Sequence, residues 1–213
     1  MKTDDLIEAL AAGLEPVRPG ALRRDFALTA VAAAGAAILG AVILLGVRHS
    51  IVEALGQISF WLRAGYTLGL AVAGGWLLTR IGRPGGHGRT PLLGVIGLLA
   101  AVGLFAAIEQ LTLPHDMGAM ALHGHSPSAC MTNILMLTLL SAPFIFRGAR
   151  RFAPTRPAMA GAAAGLVAGA LAATAYGLCC TEQTASFVAA WYSLAILMTT
   201  AAGALIGRYL LRW

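Results

Sequence analysis

The 213 residues are 58% hydrophobic and only 11% charged, with a mean hydropathy of +0.78. A water-soluble domain carries about 25% charged residues, so an ordinary soluble enzyme is excluded and a membrane protein is indicated. The net charge of +6 invites a nucleic-acid reading, but the arginines flank apolar runs, where insertion topology and anionic headgroups account for them; no direct nucleic-acid contact is expected.

Residues 3–14 predict a short helix. Thr3 or Asp5 supplies the N-cap, and Glu8, three residues after Asp5, matches the capping-box pattern. Asp4 and Asp5 suit the positive end of the helix dipole. Leu6, Ile7, Leu10 and Leu14 recur at helical spacing as one apolar stripe, and Gly13, Pro16 and Pro19 mark the exit. So short a helix is marginal in water, and its stripe needs a surface to cover. One surface is the membrane interface, where such helices usually carry Lys and Arg on the polar face; this one carries Asp4, Asp5 and Glu8. The other, which this acidic face favours, is a groove on a basic protein partner. No cleavable signal peptide is expected, because the leader is acidic as well as basic and the apolar run after it is too long for an h-region.

Six apolar segments follow, at residues 26–47, 58–79, 91–113, 130–146, 158–178 and 187–206; a spanning helix needs about 20 residues. The fourth is short, and its start can extend back to Pro127. Of the fifteen Lys and Arg, all but Arg48 and Arg63 lie in the leader, in the loops after the second and fourth segments, or after the sixth. Short loops rich in Lys and Arg stay cytoplasmic. The expectation is an all-α integral membrane bundle of six transmembrane helices with both termini cytoplasmic, residues 1–25 forming a cytoplasmic segment and 26–213 the transmembrane domain. Arg63, inside the second segment, is read as snorkelling to the outer interface.

Gly161, Gly165 and Gly169 form overlapping small-xxx-small steps in the fifth segment, and Gly65/Gly69 and Gly203/Gly207 repeat the spacing. Such glycines let backbones approach closely in lipid, and packing within the bundle is favoured over a dimer interface. The cytoplasmic loops at 80–90 and 147–157 are too short for a catalytic domain, and the glycine-rich first one lacks the lysine and hydroxyl of a phosphate-binding loop.

The cysteines, Cys130, Cys179 and Cys180, map to the outer ends of the fourth and fifth segments, with His49, His115, His123 and His125 on the same side. Two readings stand. One is a disulfide from Cys130 to Cys179 or Cys180 beneath a flexible polar loop, in an oxidising compartment. The other is metal or redox sensing, in which His115, His123 and His125 with the thiols suit a soft or borderline metal ion acting as a signal rather than a resident cofactor. No closed zinc spacing and no catalytic constellation is discernible. Glu109 reads as an interfacial carboxylate. Paired intramembrane charges and broken helices of an ion-coupled transporter are missing, so no small-molecule substrate is expected. A small transporter or a metal- or thiol-redox membrane protein is the alternative class.

The opening T-D-D-L-I-E-A-L of residues 3–10, the Cys130 segment running to Ser141-Ala142-Pro143, the Gly161–Gly169 run, the A-Y-G-L-C-C-T-E stretch of residues 175–182, Phe187 with Ala190-Trp191-Tyr192, and the closing G-R-Y-L-L-R-W together resemble the NrsF family of membrane anti-sigma factors. The resemblance covers essentially the whole chain. It implies a bacterial inner-membrane protein without enzymatic activity, whose cytoplasmic N-terminal segment holds an extracytoplasmic-function (ECF) sigma factor away from RNA polymerase, membrane lipids being its other partner. Leu6, Ile7, Leu10 and Leu14 then become the expected sigma contacts, with Asp4, Asp5 and Glu8 as polar support. Cys130 and Cys180 become the sensory pair. Cys180, followed by Glu182, takes the family position, and Cys179 is additional. The H-G-H of residues 123–125 has no match in the family pattern.

Overall fold

The computed structural model describes residues 3, 8, 12, 20–83, 86, 88–124, 127–182 and 184–212, with the backbone alone described at 115 and 116. The predicted sigma contacts Asp4, Asp5, Leu6, Ile7, Leu10 and Leu14 lie outside these residues, as do His125 and the side chain of His115. Glu8 is exposed, and its carbonyl accepts from the Ala12 N–H at 2.8 Å.

Among the described residues every regular element is a helix, and there is no strand. We label the helices α1 (Ala21–Leu45), α2 (Ile51–Leu55), α3 (Ile58–Ile81), α4 (Arg89–Thr112), α5 (His115–His123), α6 (Pro127–Arg150), α7 (Pro157–Tyr176) and α8 (Ala185–Leu210). The last turn of α1, Ala41–Leu45, and the stretch Val188–Tyr192 within α8 are π-helical. The fourth predicted segment begins at Pro127, and α5 is a helix where a flexible loop was expected.

Five helical stretches are long and apolar enough to cross a membrane: α1, α4, the run ending in α6, α7 and α8. The second predicted span is not among them. At 24 residues α3 has the length, but Arg63, Tyr66, Thr67 and the four glycines Gly65, Gly69, Gly74 and Gly75 dilute its hydropathy. The polar side chains are there because that face of α3 packs on protein: Arg63, Tyr66 and Thr67 are buried, at 5%, 6% and 0% exposure.

The bundle is organised around α7. Thirteen of its twenty residues are Ala or Gly, and its side chains are buried along nearly the whole length. A helix this thin lets α8, α3 and α6 pack along it while α1 still touches it. The closest approach is to α8. A Cβ on Gly161 would meet the Gly203 carbonyl oxygen and lie 2.6 Å from Gly207 Cα, and one on Gly165 would lie 3.1 Å from Gly203 Cα. The glycine face is therefore spent inside the bundle. By contrast α4 is peripheral; only Pro91 and Val95 are buried on it.

Ends of the bundle separate by charge. Arg151 pairs with Asp25, and Arg150 Nε donates to the Leu210 carbonyl at 3.2 Å. These contacts gather the start of α1 and the ends of α6 and α8 into one arginine-rich end. The cysteines lie at the other.

Replacing Gly161 with Ala is expected to cost about 1–3 kcal/mol by forcing apart two packed backbones, read by reversible unfolding in detergent. Gly35→Ala, where an added Cβ meets nothing within 4 Å, is expected to be neutral or stabilising by up to about 1 kcal/mol. Equal effects at the two sites would refute the close-packing account.

Candidate functional site

The site is built on the loop from α7 to α8. Helix α7 ends at Gly177, whose N–H reaches the Ala173 and Thr174 carbonyls, both at 3.1 Å. The chain then coils tightly: the Cys179 and Cys180 N–H groups both return to the Tyr176 carbonyl, at 2.9 and 3.0 Å. Consecutive cysteines in such a turn point apart. Cys180 faces the core, 6% exposed. Cys179 is half-buried and directs its Sγ to the Ala41 carbonyl at 3.6 Å, on the π-turn of α1.

Cys130, in the first turn of α6, is 1% exposed and belongs to the same packed cluster as Cys180, Tyr176, Phe187 and Tyr192. Cys130 and Cys180 lie within electrostatic reach of each other and share their surroundings with Tyr176 and Arg63. All three cysteines are free thiols. The rings of Tyr176 and Tyr192 stand 5.9 Å apart, and Phe187 packs on Tyr192 at 6.5 Å. The π-helical stretch of α8 carries Tyr192, fully buried. Its hydroxyl has no oxygen or nitrogen partner among the described residues and is left beside the Cys180 sulfur.

Two arginines hold the loop. Arg63 on α3 donates from Nη1 to the Glu182 carbonyl at 2.6 Å and from Nη2 to the Gly177 carbonyl at 2.9 Å. Its guanidinium lies over Phe60 and Tyr192, at 5.8 and 5.9 Å. Arg48 donates from Nη1 to the Cys180 carbonyl at 3.2 Å and from Nε and Nη2 to Ser50 Oγ. Arg63 thus does not snorkel; burying a charge requires such partners, and here backbone carbonyls and aromatic faces supply them. These are the same two residues that break the charge asymmetry of the loops, the one sequence signal that marked them out.

Other contacts seat the start of α8. Glu109, expected at the interface, accepts from the backbone N–H of Ala185 and Ser186 at 3.2 and 2.7 Å and from Ser186 Oγ at 2.6 Å. It therefore caps α8 from a neighbouring helix, where the positive end of the helix dipole stabilises its negative charge. Trp191 Nε1 and Thr184 Oγ1 donate to the α5 carbonyls of Leu122 and Ala121, at 2.9 and 2.8 Å. Gly124, with φ +56, has the Phe187 ring within 2.6 Å of where a Cβ would stand, and only glycine fits both. His123 is exposed, its Nδ1 3.0 Å from the Ala119 carbonyl of its own helix. Among the described residues no three His, Cys, Asp or Glu side chains converge as a metal site.

Burial, and next the nearby Cys180, raise the Cys179 thiol pKa above the ordinary cysteine value. A raised pKa depletes thiolate at a given pH, so Cys179 should alkylate more slowly than a free peptide thiol at pH 8 and its rate should still be climbing at pH 9. Loss of the Arg63 hydrogen bonds, each worth about 1.5–3 kcal/mol when the donor is charged, should free the loop. Arg63→Ala is expected to speed maleimide labelling of Cys180 at least about tenfold; an unchanged rate would show that the loop is held by other contacts.

The family described as negative regulator of sigma F, NrsF, matches residues 10–213. A curated relative, "Anti-sigma-F factor NrsF" of Caulobacter vibrioides (strain NA1000 / CB15N), is 42% identical over 221 residues, covering 100% of both chains. "Probable anti-sigma-F factor NrsF" of Azospira oryzae (strain ATCC BAA-33 / DSM 13638 / PS) is 36% identical over 220 residues, again covering 100% of both. No solved structure matches. With the match running through the α7–α8 cysteine loop and the whole bundle, the chain belongs to the NrsF family of negative regulators of sigma F: it is a regulatory protein of the anti-sigma-factor kind and not an enzyme.

Proposed function

We propose that this chain is an inner-membrane anti-sigma factor of six spans, α3 being the sixth, with both termini cytoplasmic. It sequesters an ECF sigma factor through residues 1–25 and releases it when the Cys130–Cys180 pair is modified from the periplasmic side. The observation that carries this reading is the polarity of the bundle. Arginines collect at one end and free thiols at the other, and short arginine-rich loops are retained in the cytoplasm. The polar content of α3 is compatible with a span because its polar side chains face the bundle.

Leu6, Ile7, Leu10 and Leu14 form the apolar contact with the sigma factor, and Asp4, Asp5 and Glu8 face its basic surroundings. In this reading the signal is oxidation of the thiol pair. Two thiols lose two electrons and two protons to an external oxidant and join as a disulfide, drawing the start of α6 toward the loop. Release then requires two arrangements of the bundle whose equilibrium both ends bias. Cys179, the additional cysteine, supports the loop, and no cofactor is needed.

Full-length protein pulled from detergent extracts of its own host is expected to bring down a sigma factor, and protein lacking residues 1–22 is not. Leu6→Asp combined with Leu10→Asp is expected to abolish recovery while leaving membrane insertion intact. Equal recovery by all three forms would overturn the contact assignment. Cys130→Ser and Cys180→Ser are expected to give the same signalling defect, read from a sigma-dependent reporter; a phenotype in only one of them sinks the pair.

A further inference from the structure

We infer that the cleft between α3, α4 and the start of α8 is a binding site for an anionic phospholipid, its head taken by Arg63 and one acyl chain lying between α3 and α4. The cleft has a volume of about 440 Å³, within the roughly 300–1,000 Å³ typical of ligand sites. Its walls are apolar, with Leu62, Leu98, Val102 and Phe105 among them. It opens sideways rather than to the end of the bundle: Ile58, Trp61, Leu62 and Phe105 at its margin are 57–77% exposed on helices that face the surrounding medium. In a membrane that medium is acyl chain.

Charge selects the occupant. Arg63 lines the cleft and is itself only 5% exposed. It has five N–H groups; two are used on the Glu182 and Gly177 carbonyls, and the other three have no acceptor among the described residues. Among the described residues no carboxylate forms an ion pair with it. Two carbonyls and the aromatic faces take up part of its hydrogen-bonding capacity but leave a full positive charge in a low-dielectric wall, which favours an anion there. Glu109 also lines the cleft, but its oxygens are committed to the Ala185 and Ser186 N–H groups and the Ser186 hydroxyl. Its charge is thereby partly offset by the α8 dipole, so the phosphate is drawn to the Arg63 side. Arg63 is five residues from the start of α3, about one and a half turns in, a depth reached by the phosphate and glycerol of a lipid settling inward. A bound phosphate would share its guanidinium with the loop that carries Cys179 and Cys180, so lipid occupancy bears directly on that loop. The inference does not depend on sigma-factor binding.

The full chain in detergent, given phosphatidylglycerol or phosphatidylcholine of identical chains, is to be compared by native mass spectrometry. Wild type is expected to retain phosphatidylglycerol about fivefold over phosphatidylcholine. Arg63→Gln is expected to erase the preference, and Val102→Trp, which fills the cleft, to lower retention of both lipids. Phosphatidylglycerol carrying brominated chains should quench Trp61 fluorescence, a signal lost in Trp61→Phe; this reading and Val102→Trp decide the matter if Arg63→Gln fails to fold. Equal retention of the two lipids by wild type, or retention and quenching unchanged by Val102→Trp, overturns the site. Displacement of phosphatidylglycerol by equimolar oleate would assign the cleft to a free fatty acid and overturn the phospholipid.

Discussion

The backbone contact between α7 and α8 is the constraint on which the remaining structure rests. Helices as apolar as these cannot rely on the hydrophobic effect in a bilayer, where van der Waals packing and a few polar contacts hold a bundle. Here α7 presents Gly161 and Gly165 to Gly203 and Gly207 of α8, and farther along Gly169 to Thr199. Two helices seated this closely share a large dispersion contact. The absence of bulk on α7 also lets α3 and α6 reach the same axis. Ser141 of α6 uses that proximity to donate to the Ala168 carbonyl of α7 at 3.2 Å, and Thr174 of α7 donates to Thr67 of α3 at 2.8 Å.

The same helix pair delivers the cysteine loop. Because α7 and α8 are locked together at the arginine end, the connection at their other end is confined to a few residues, and its carbonyls turn inward. Buried carbonyls need donors. Arg63 and Arg48 provide them, so what appears in sequence as two exceptions to the charge pattern is in the fold the means of fastening Gly177, Cys180 and Glu182. Cys130 and Cys180 are consequently held in a dry setting of aromatic rings and a guanidinium, whereas Cys179 remains near the surface. Adjacent cysteines thus occupy different chemical environments through the turn alone.

Peripheral packing gives α4 a separate character. It touches chiefly α3 and the beginning of α8, and its polar anchors to α8 cluster at one end, on Glu109, Gln110 and the Ala106 carbonyl. Gln110 Nε2 bonds both the Gly118 carbonyl and Ser186 Oγ at 2.9 Å. A helix fastened at one end and apolar over the rest leaves a gap where α3 carries Gly65 instead of a side chain; no neighbour lies within 4 Å of a Cβ built there. In α7 the small-residue spacing makes a close contact, whereas in α3 Gly69 is packed by Leu98, 3.1 Å from where a Cβ would stand, and Gly65 leaves a space.

From the sequence alone the helical class, the approximate segments, the separation of arginines from cysteines and the family could be read, because hydropathy, charge placement and local motifs are properties of short stretches of chain. The inward role of the Gly161–Gly169 face was legible for the same reason. What only the tertiary structure decided depends on which faces meet. Arg63 looked like a snorkelling residue because a sequence shows its depth but not its neighbours, and the carbonyls that hold it lie more than a hundred positions away. The partners of Glu109 were hidden for the same reason, since the helix end it caps comes from a distant segment. The polar side chains that lower the hydropathy of α3 are explained only by their burial within the bundle, where Arg63 and Thr67 meet protein rather than the surrounding medium.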